Sequence, residues 1–229
     1  MGAIFAARVV IDDLYDYTSI RRSDVATMYV ARTERPTLVL GGSQSSEVLD
    51  PIKSAGTPVR RRRGGGGLVL LRPEDLWVDW WIPRDDARWN YDVHVSSIRV
   101  GQWWADVLGE RVKGVRVHEG PLEGDDTHRV VCFAGRGPGE VFVDDRKAVG
   151  VTQWRVREGV FVSTVLHAEP TSDVLDYLSV IPSGLAEALD HHALSTLASV
   201  DAASTLAQLR VVSAPSHQVD IIIDSSINS

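Results

Sequence analysis

Arg60, Arg61, Arg62 and Arg63 run directly into Gly64, Gly65, Gly66 and Gly67, and then into the apolar pair Leu68-Val69. Guanidinium forks bind anionic oxygens, and residues without a Cβ let backbone N–H groups close on the same anion. Further along, Asp144-Asp145-Arg146-Lys147-Ala148-Val149-Gly150 puts a lysine just ahead of a glycine. An ammonium brought to a side-chain-free cradle would stabilise the charge that develops when a carboxylate is activated. Between the two segments lies Cys132, the only cysteine, which is either a nucleophile or an inert strand thiol. Each feature alone has a plainer explanation, since arginine runs are usually solvated loops and lysines usually exposed. The conjunction of the two segments is what favours a site.

Other residues are less telling. His118, His128 and His167 are scattered singly and His191-His192 lacks a third ligand at metal spacing, so ordinary histidines are expected. Tryptophans concentrate between Trp77 and Trp104, where they serve either the core or the floor of an apolar pocket.

Of the 229 residues 44% are hydrophobic, enough to pack a core without staples. With 24 basic against 31 acidic residues the net charge is −7, which disfavours a surface that grips nucleic acid, so the basic run is a local feature. A lone cysteine excludes an internal disulfide and makes a reducing cytoplasm the expected compartment. The first eleven residues, through Ile11, are apolar apart from Arg8, yet lack a basic lead and are too short to span a bilayer; buried structure is expected there and no membrane association.

The elements that must carry these residues follow from apolar runs and their punctuation. Residues 37–41 and 68–71 have the length and boundaries of buried strands, the second a central one entered by the arginine–glycine connection. Residues 44–55, with Leu49 and Ile52 three apart and Gly56 following, fit a short capped helix. Over 92–109 the positions Val95, Ile98, Gly101, Ala105 and Leu108 recur at helical spacing, with Gly109 as cap. Strands are expected at 130–133 and 141–143 around the loop 134–139, then a hairpin from 149–157 and 159–166. Residues 171–178 and 183–209 have helical spacing, 219–223 could add a last strand, and 224–229 reads as a disordered tail. Strands first and helices later indicate a single α+β domain over 1–229, with helices flanking a mixed sheet.

Three segments in order resemble the biotin/lipoate A/B protein ligase family, in its lipoate-protein ligase and octanoyltransferase branch. That branch carries RRxSGGGAV, which Arg61-Arg62-Arg63-Gly64-Gly65-Gly66-Gly67-Leu68-Val69 matches with glycine for serine and leucine for alanine. Upstream, Pro36-Thr37-Leu38-Val39-Leu40-Gly41-Gly42-Ser43-Gln44 is similar to the family's strand-to-Gln segment. Downstream, Asp145-Arg146-Lys147-Ala148-Val149-Gly150-Val151-Thr152-Gln153-Trp154-Arg155 is similar to DRKxxGxAQxR. The likeness spans residues 28–167, with Leu71 where many relatives have histidine and Ser163-Thr164 near a usual histidine-containing turn.

The resemblance implies a mixed sheet flanked by helices, related to class II aminoacyl-tRNA synthetase catalytic cores, without room for a separate accessory domain. It implies a ligase that joins lipoate or a medium-chain acid to AMP, using ATP and Mg²⁺, and passes the acyl group to a lipoyl-domain lysine. Acceptors of that kind are 2-oxoacid dehydrogenase E2 subunits and the glycine cleavage H protein. Lys147 would be the catalytic residue; Gly65, Gly66, Gly67 and Gly150 would line the acyl-adenylate, and Arg61 and Arg62 would hold its anionic part. Gln44 and Gln153 are expected as polar groups of the pocket, and Asp144 and Asp145 either help magnesium or form a solvated turn. The alternative within the branch is an ATP-independent octanoyltransferase that takes its acyl group from acyl carrier protein onto Cys132, whose Cys132-Phe133, Glu140, Lys147 spacing is similar to several such members. A scaffold that binds acyl groups or carriers without turnover is the third possibility.

Overall fold

The structure, a computed structural model, describes residues 5–10, 20–192 and 201–214, with 5–10 and 191–192 as backbone only. Two sheets form the frame. The larger has seven strands in the order β1 (Phe5–Val10), β2 (Thr27–Arg32), β6 (Leu76–Pro83), β10 (Gly159–Leu166), β9 (Arg146–Val156), β8 (Val141–Val143), β7 (Val115–Val117). All its pairs are antiparallel except β1 with β2. The smaller has β3 (Thr37–Leu40) between β4 (Val59–Arg61) and β5 (Val69–Leu71), parallel to the first and antiparallel to the second. This is the mixed sheet with flanking helices that the resemblance implied.

Strand alternation divides the core in two. Trp77 and Trp81 of β6, with Phe161 and Val165 of β10, face the small sheet and pack on Leu38, Leu40, Leu68 and Leu70. Val78, Trp80 and Ile82, with Val160, Val162 and Leu166, face the opposite way, toward α1 (Val93–Gly109) and α4 (Ala202–Val212). β6 is buried at every position, as a central strand covered on both faces must be. Most of the clustered tryptophans are therefore core: Trp80, Trp81 and Trp104 are fully buried.

Helix α1 begins because the Asp92 carboxylate accepts from the His94 and Val95 amides. Gly109 stays helical and Glu110 takes the cap, one residue later than expected. Its buried stripe keeps the anticipated Gly101 and Leu108 and adds Val100, Trp103, Trp104 and Val107, while Val95 of the anticipated face is exposed.

Several expectations give way to local geometry. Residues 44–55 form only the 3-10 turn Ser46–Val48 followed by turns, because Leu49 bridges to Leu178 while Ile52 points to solvent, 85% exposed. Residues 130–133 are not a strand. The short helix α2 (Thr127–Val130) runs into the 3-10 turn Cys132–Ala134, and only Val131 bridges, in parallel, to Leu68. The arginine run starts inside β4, and β5 is a buried edge of the small sheet, not a central strand. β9 starts at Arg146, earlier than expected, so Lys147 lies on a strand. Residues 171–178 hold the 3-10 turn Ser172–Tyr177, and within 183–209 the described residues include α3 (Leu185–His192) and the start of α4. The strand expected at 219–223 and the tail 224–229 lie outside the described residues. No described helix is long and apolar enough to cross a membrane.

Candidate active site

A cavity of about 650 Å³ opens where the start of α1, the Ser43-Gln44 loop, the glycine loop, residues 128–140 and the middle of β9 meet. Gln44, Gly65, Gly66, Cys132, Lys147 and Gln153 all line it, drawn from four separate stretches of chain. No tryptophan lines it.

Lys147 is fully buried in its wall. Its Nζ donates to the Cys132 carbonyl at 2.9 Å, pairs with Glu140 Oε2 at 2.7 Å and lies 5.3 Å from the centre of the Phe133 ring. Behind that ring, His167 packs edge-on at 4.6 Å and holds Asp75 at 2.9 Å through Nδ1. Asp75 also accepts from the Arg72 and Ala168 amides. Burial opposes ionisation of Asp75, but His167 and these amides outweigh it and hold the carboxyl below its ordinary value. Burial pushes Glu140 the other way, above the usual carboxylate range, against the pull of Lys147 and of the Gly137 amide.

The glycine loop is shaped by close approaches. Gly66 has φ +86°, a left-handed conformation that disfavours side chains, and a Cβ on Gly67 would lie 2.7 Å from the Val130 and Val131 backbone. A Cβ on Gly65 would meet nothing within 4 Å, so this glycine faces open space at the cavity. Gly67 is therefore a packing glycine and does not line the cavity. Gly150, beside the Phe133 ring, is likewise withdrawn from it and borders a smaller hollow behind Cys132 with Trp77 and Ser163.

Arg62 turns inward, away from the role expected of it. Its guanidinium donates to the carbonyls of Val39 at 3.1 Å, Gly65 at 3.1 and 2.7 Å, and Gly67 at 2.8 Å, and the residue is only 3% exposed. Arg61 braces the preceding loop through the Gly41 carbonyl at 2.9 Å and the Gln44 carbonyl. Both arginines are spent on backbone carbonyls that a glycine-rich loop cannot satisfy alone. Among the described residues, Arg129 and Lys147 are the arginine and lysine that line the cavity.

Gln44 ties two walls together, accepting from the Gly41 amide at 3.2 Å and donating to the Val130 carbonyl at 2.9 Å. Gln153 anchors β9 to α1 through the Val93 carbonyl at 2.7 Å and Ser97 Oγ at 2.8 Å. Asp144 and Asp145 form the exposed β8–β9 turn, where Asp145 pairs with Arg116 at 2.8 Å; neither lines the cavity, and they do not fit a magnesium site there. Glu140, the one carboxylate lining the cavity among the described residues, is already paired with Lys147.

Cys132 is half-buried with its thiol at the cavity edge, 3.6 Å from where a Gly66 Cβ would stand. Burial pushes the thiol up, although the charges of Arg62 and Lys147 draw it down. No imidazole or carboxylate hydrogen-bonds the thiol among the described residues.

Sequence reasoning assigned no role to three contributors. Glu140 reaches Lys147 only because residues 137–140 turn back, Thr152 Oγ1 steadies the Gly65 carbonyl at 3.1 Å, and Ser97 joins from α1. A sequence signal existed for Thr152, which lies within the segment that follows Lys147, and for Glu140, which lies in the spacing that leads from Cys132-Phe133 to Lys147.

The sequence family described as the lipoyl protein ligase A/B catalytic domain matches residues 13–208. Among curated proteins none matches by sequence. Lipoate-protein ligase A bound with ATP superposes with a TM-score of 0.68 at 18% identity, covering 91% of this chain and 82% of its own. The archaeal bipartite lipoate protein ligase of Thermoplasma acidophilum, solved with its E2 lipoyl domain, gives 0.72 at 14% identity, covering 93% and 82%. A lipoic-acid-bound structure from the same archaeon gives 0.69 at 14% identity, covering 93% and 84%. At these identities the likeness concerns the fold.

Proposed function

Because the chain belongs to the lipoyl protein ligase A/B catalytic-domain family, we propose that it activates lipoate or a similar medium-chain acid with ATP and transfers the acyl group to a lysine of a lipoyl domain. The observation that carries this reading is the Lys147 ammonium, held 2.9 Å from the Cys132 carbonyl in the wall of a cavity that the open Gly65 also lines. In the first step a carboxylate oxygen attacks the α-phosphorus of ATP, the bond to the β-phosphate oxygen breaks, and pyrophosphate leaves. In the second the acceptor amine attacks the acyl carbonyl, the bond to the AMP oxygen breaks, and the amine gives up a proton. Negative charge gathers near the same atoms in both steps, and a fixed ammonium in a water-poor wall stabilises it.

The chain's residues divide the remaining work. Arg62 holds the glycine loop rigid, Gly65 and Gly66 let the backbone approach the acyl-adenylate, and Arg129 offers a second cation to its phosphate side. ATP and lipoate occur in structures of the same fold, and the E2 lipoyl domain accompanies one of them, which supports these as substrates and acceptor class. The H protein of glycine cleavage is an acceptor of the same chemistry.

Cys132 supports a second reading, because its thiol is at the cavity edge. A transferase would form an octanoyl thioester there from acyl carrier protein and need no ATP. The thiol's raised protonation and the lack of a hydrogen-bonded base favour the ligase. Incubation with a lipoyl domain and either lipoate plus ATP or octanoyl carrier protein separates the two. The ligase modifies the domain only in the first mixture and releases AMP. Modification in the second mixture, abolished in Cys132→Ser, would replace the ligase with the transferase.

A further inference from the structure

Lys147 is the most deeply buried cation in the cavity wall, and a buried ammonium without a counter-ion gives up its proton. The chain otherwise builds its cations from arginine: of 24 basic residues only Lys53, Lys113 and Lys147 are lysines. Arginine stays charged wherever it sits, whereas lysine does not. Position 147 therefore carries a group whose charge the surroundings must maintain.

Glu140 is the group that can do so. It is 4% exposed, its Oε2 lies 2.7 Å from Lys147 Nζ, and the same oxygen accepts the Gly137 amide at 2.6 Å. Among the described residues, the other charged or titratable groups around the pair are Arg62 and Cys132, with His128 and Arg129 on the cavity lining, and none of these is an anion while the thiol is protonated. The turn that delivers Glu140 is itself pinned. Gly139 has φ +85° and donates to the His118 carbonyl at 2.8 Å, the His118 amide donates to the Glu140 carbonyl at 2.8 Å, and a Cβ on Gly101 of α1 would lie 2.0 Å from the Gly139 oxygen.

We infer that Glu140 is a positioning residue for acyl activation: its carboxylate keeps Lys147 charged and seated in the cavity wall. The inference rests on the reading in which Lys147 serves the acyl-adenylate. It acts through Lys147, so its loss lowers turnover more than substrate binding.

The three lysines make a direct test possible. Protein labelled with ¹³Cε-lysine gives resonances whose positions report ammonium or amine, with Lys53 and Lys113 as internal references. In Glu140→Gln the Lys147 resonance is expected to pass to the amine position at lower pH than in the wild-type protein, the other two being unmoved. Acyl-adenylate formation should lose about 10- to 100-fold in kcat with little change in KM, the loss deepening as pH rises. A Lys147 resonance that titrates identically in both proteins, or a loss equal at every pH, overturns the inference. Should Glu140→Gln fail to fold, Glu140→Asp decides, because a carboxylate withdrawn by one methylene must lower kcat, and unchanged kcat contradicts a positioning role. If the wild-type protein forms no acyl-adenylate, the ligase reading fails, while the resonances still judge whether Glu140 holds the charge.

Discussion

Gly41 and Gly66 pack so closely that a Cβ on Gly41 would stand 1.9 Å from the Gly66 carbonyl oxygen. Gly65, next in the chain to Gly66, would meet nothing within 4 Å. Adjacent loop glycines thus have different duties. Gly41→Ala forces the loop apart and should cost about 1–3 kcal/mol of stability. Gly65→Ala should leave thermal unfolding unchanged while weakening acyl-adenylate binding by calorimetry, because its methyl group enters the cavity and not the core.

Arg62 clamps three carbonyls with a planar fork that lysine cannot copy. Arg62→Lys keeps the charge and should still destabilise by about 2–3 kcal/mol, as hydrogen bonds from a charged donor are lost. Denaturant unfolding measures this. A change within error would mean that the loop holds its shape without the clamp.

Under the ligase reading Cys132→Ser retains ATP-dependent lipoylation within about threefold, since the thiol makes no bond in the reaction. Burial raises the thiol, so alkylation by iodoacetamide should be slow at neutral pH and accelerate only in alkaline solution. Fast neutral alkylation would mark an activated nucleophile instead.

Asp75 links pH to stability. Its carboxyl in the folded protein is held below its ordinary value, so its contribution is fully present above the range where an unfolded aspartate titrates, and is lost as pH falls through the folded value. Asp75→Asn breaks the buried pair with His167 and should cost about 3 kcal/mol near neutrality, while stability becomes less sensitive to acid than in the wild-type protein. Thermal unfolding across the acid range checks both.

Much of the frame was legible because its signals are local. Val141–Val143 and Gly159–Leu166 appear as apolar runs with glycine or charge at their ends, and Asp92 announces α1. Central strand β6 escaped because Leu76–Pro83, buried on both faces, shows no alternation and draws the eye to its indoles. The apolar run at 130–133 misled for the opposite reason: it is buried by a parallel bridge at Val131 and by turns, not by a ladder. At the cavity, Lys147, the glycine loop, Gln44 and Gln153 could be singled out because motif spacing marks them. The inward turn of Arg62 and the reach of Glu140 could not, since both depend on which backbone groups the fold leaves unsatisfied.

The central claim is that the Lys147 ammonium stabilises the activated acyl group. Acyl-adenylate formation from lipoate and α-labelled ATP, in the wild-type protein and in Lys147→Ala with its folding confirmed by thermal unfolding, tests it most directly. The account predicts adenylate in the wild-type protein and a loss of at least about 100-fold in the variant; a variant that forms adenylate at the wild-type rate would contradict it.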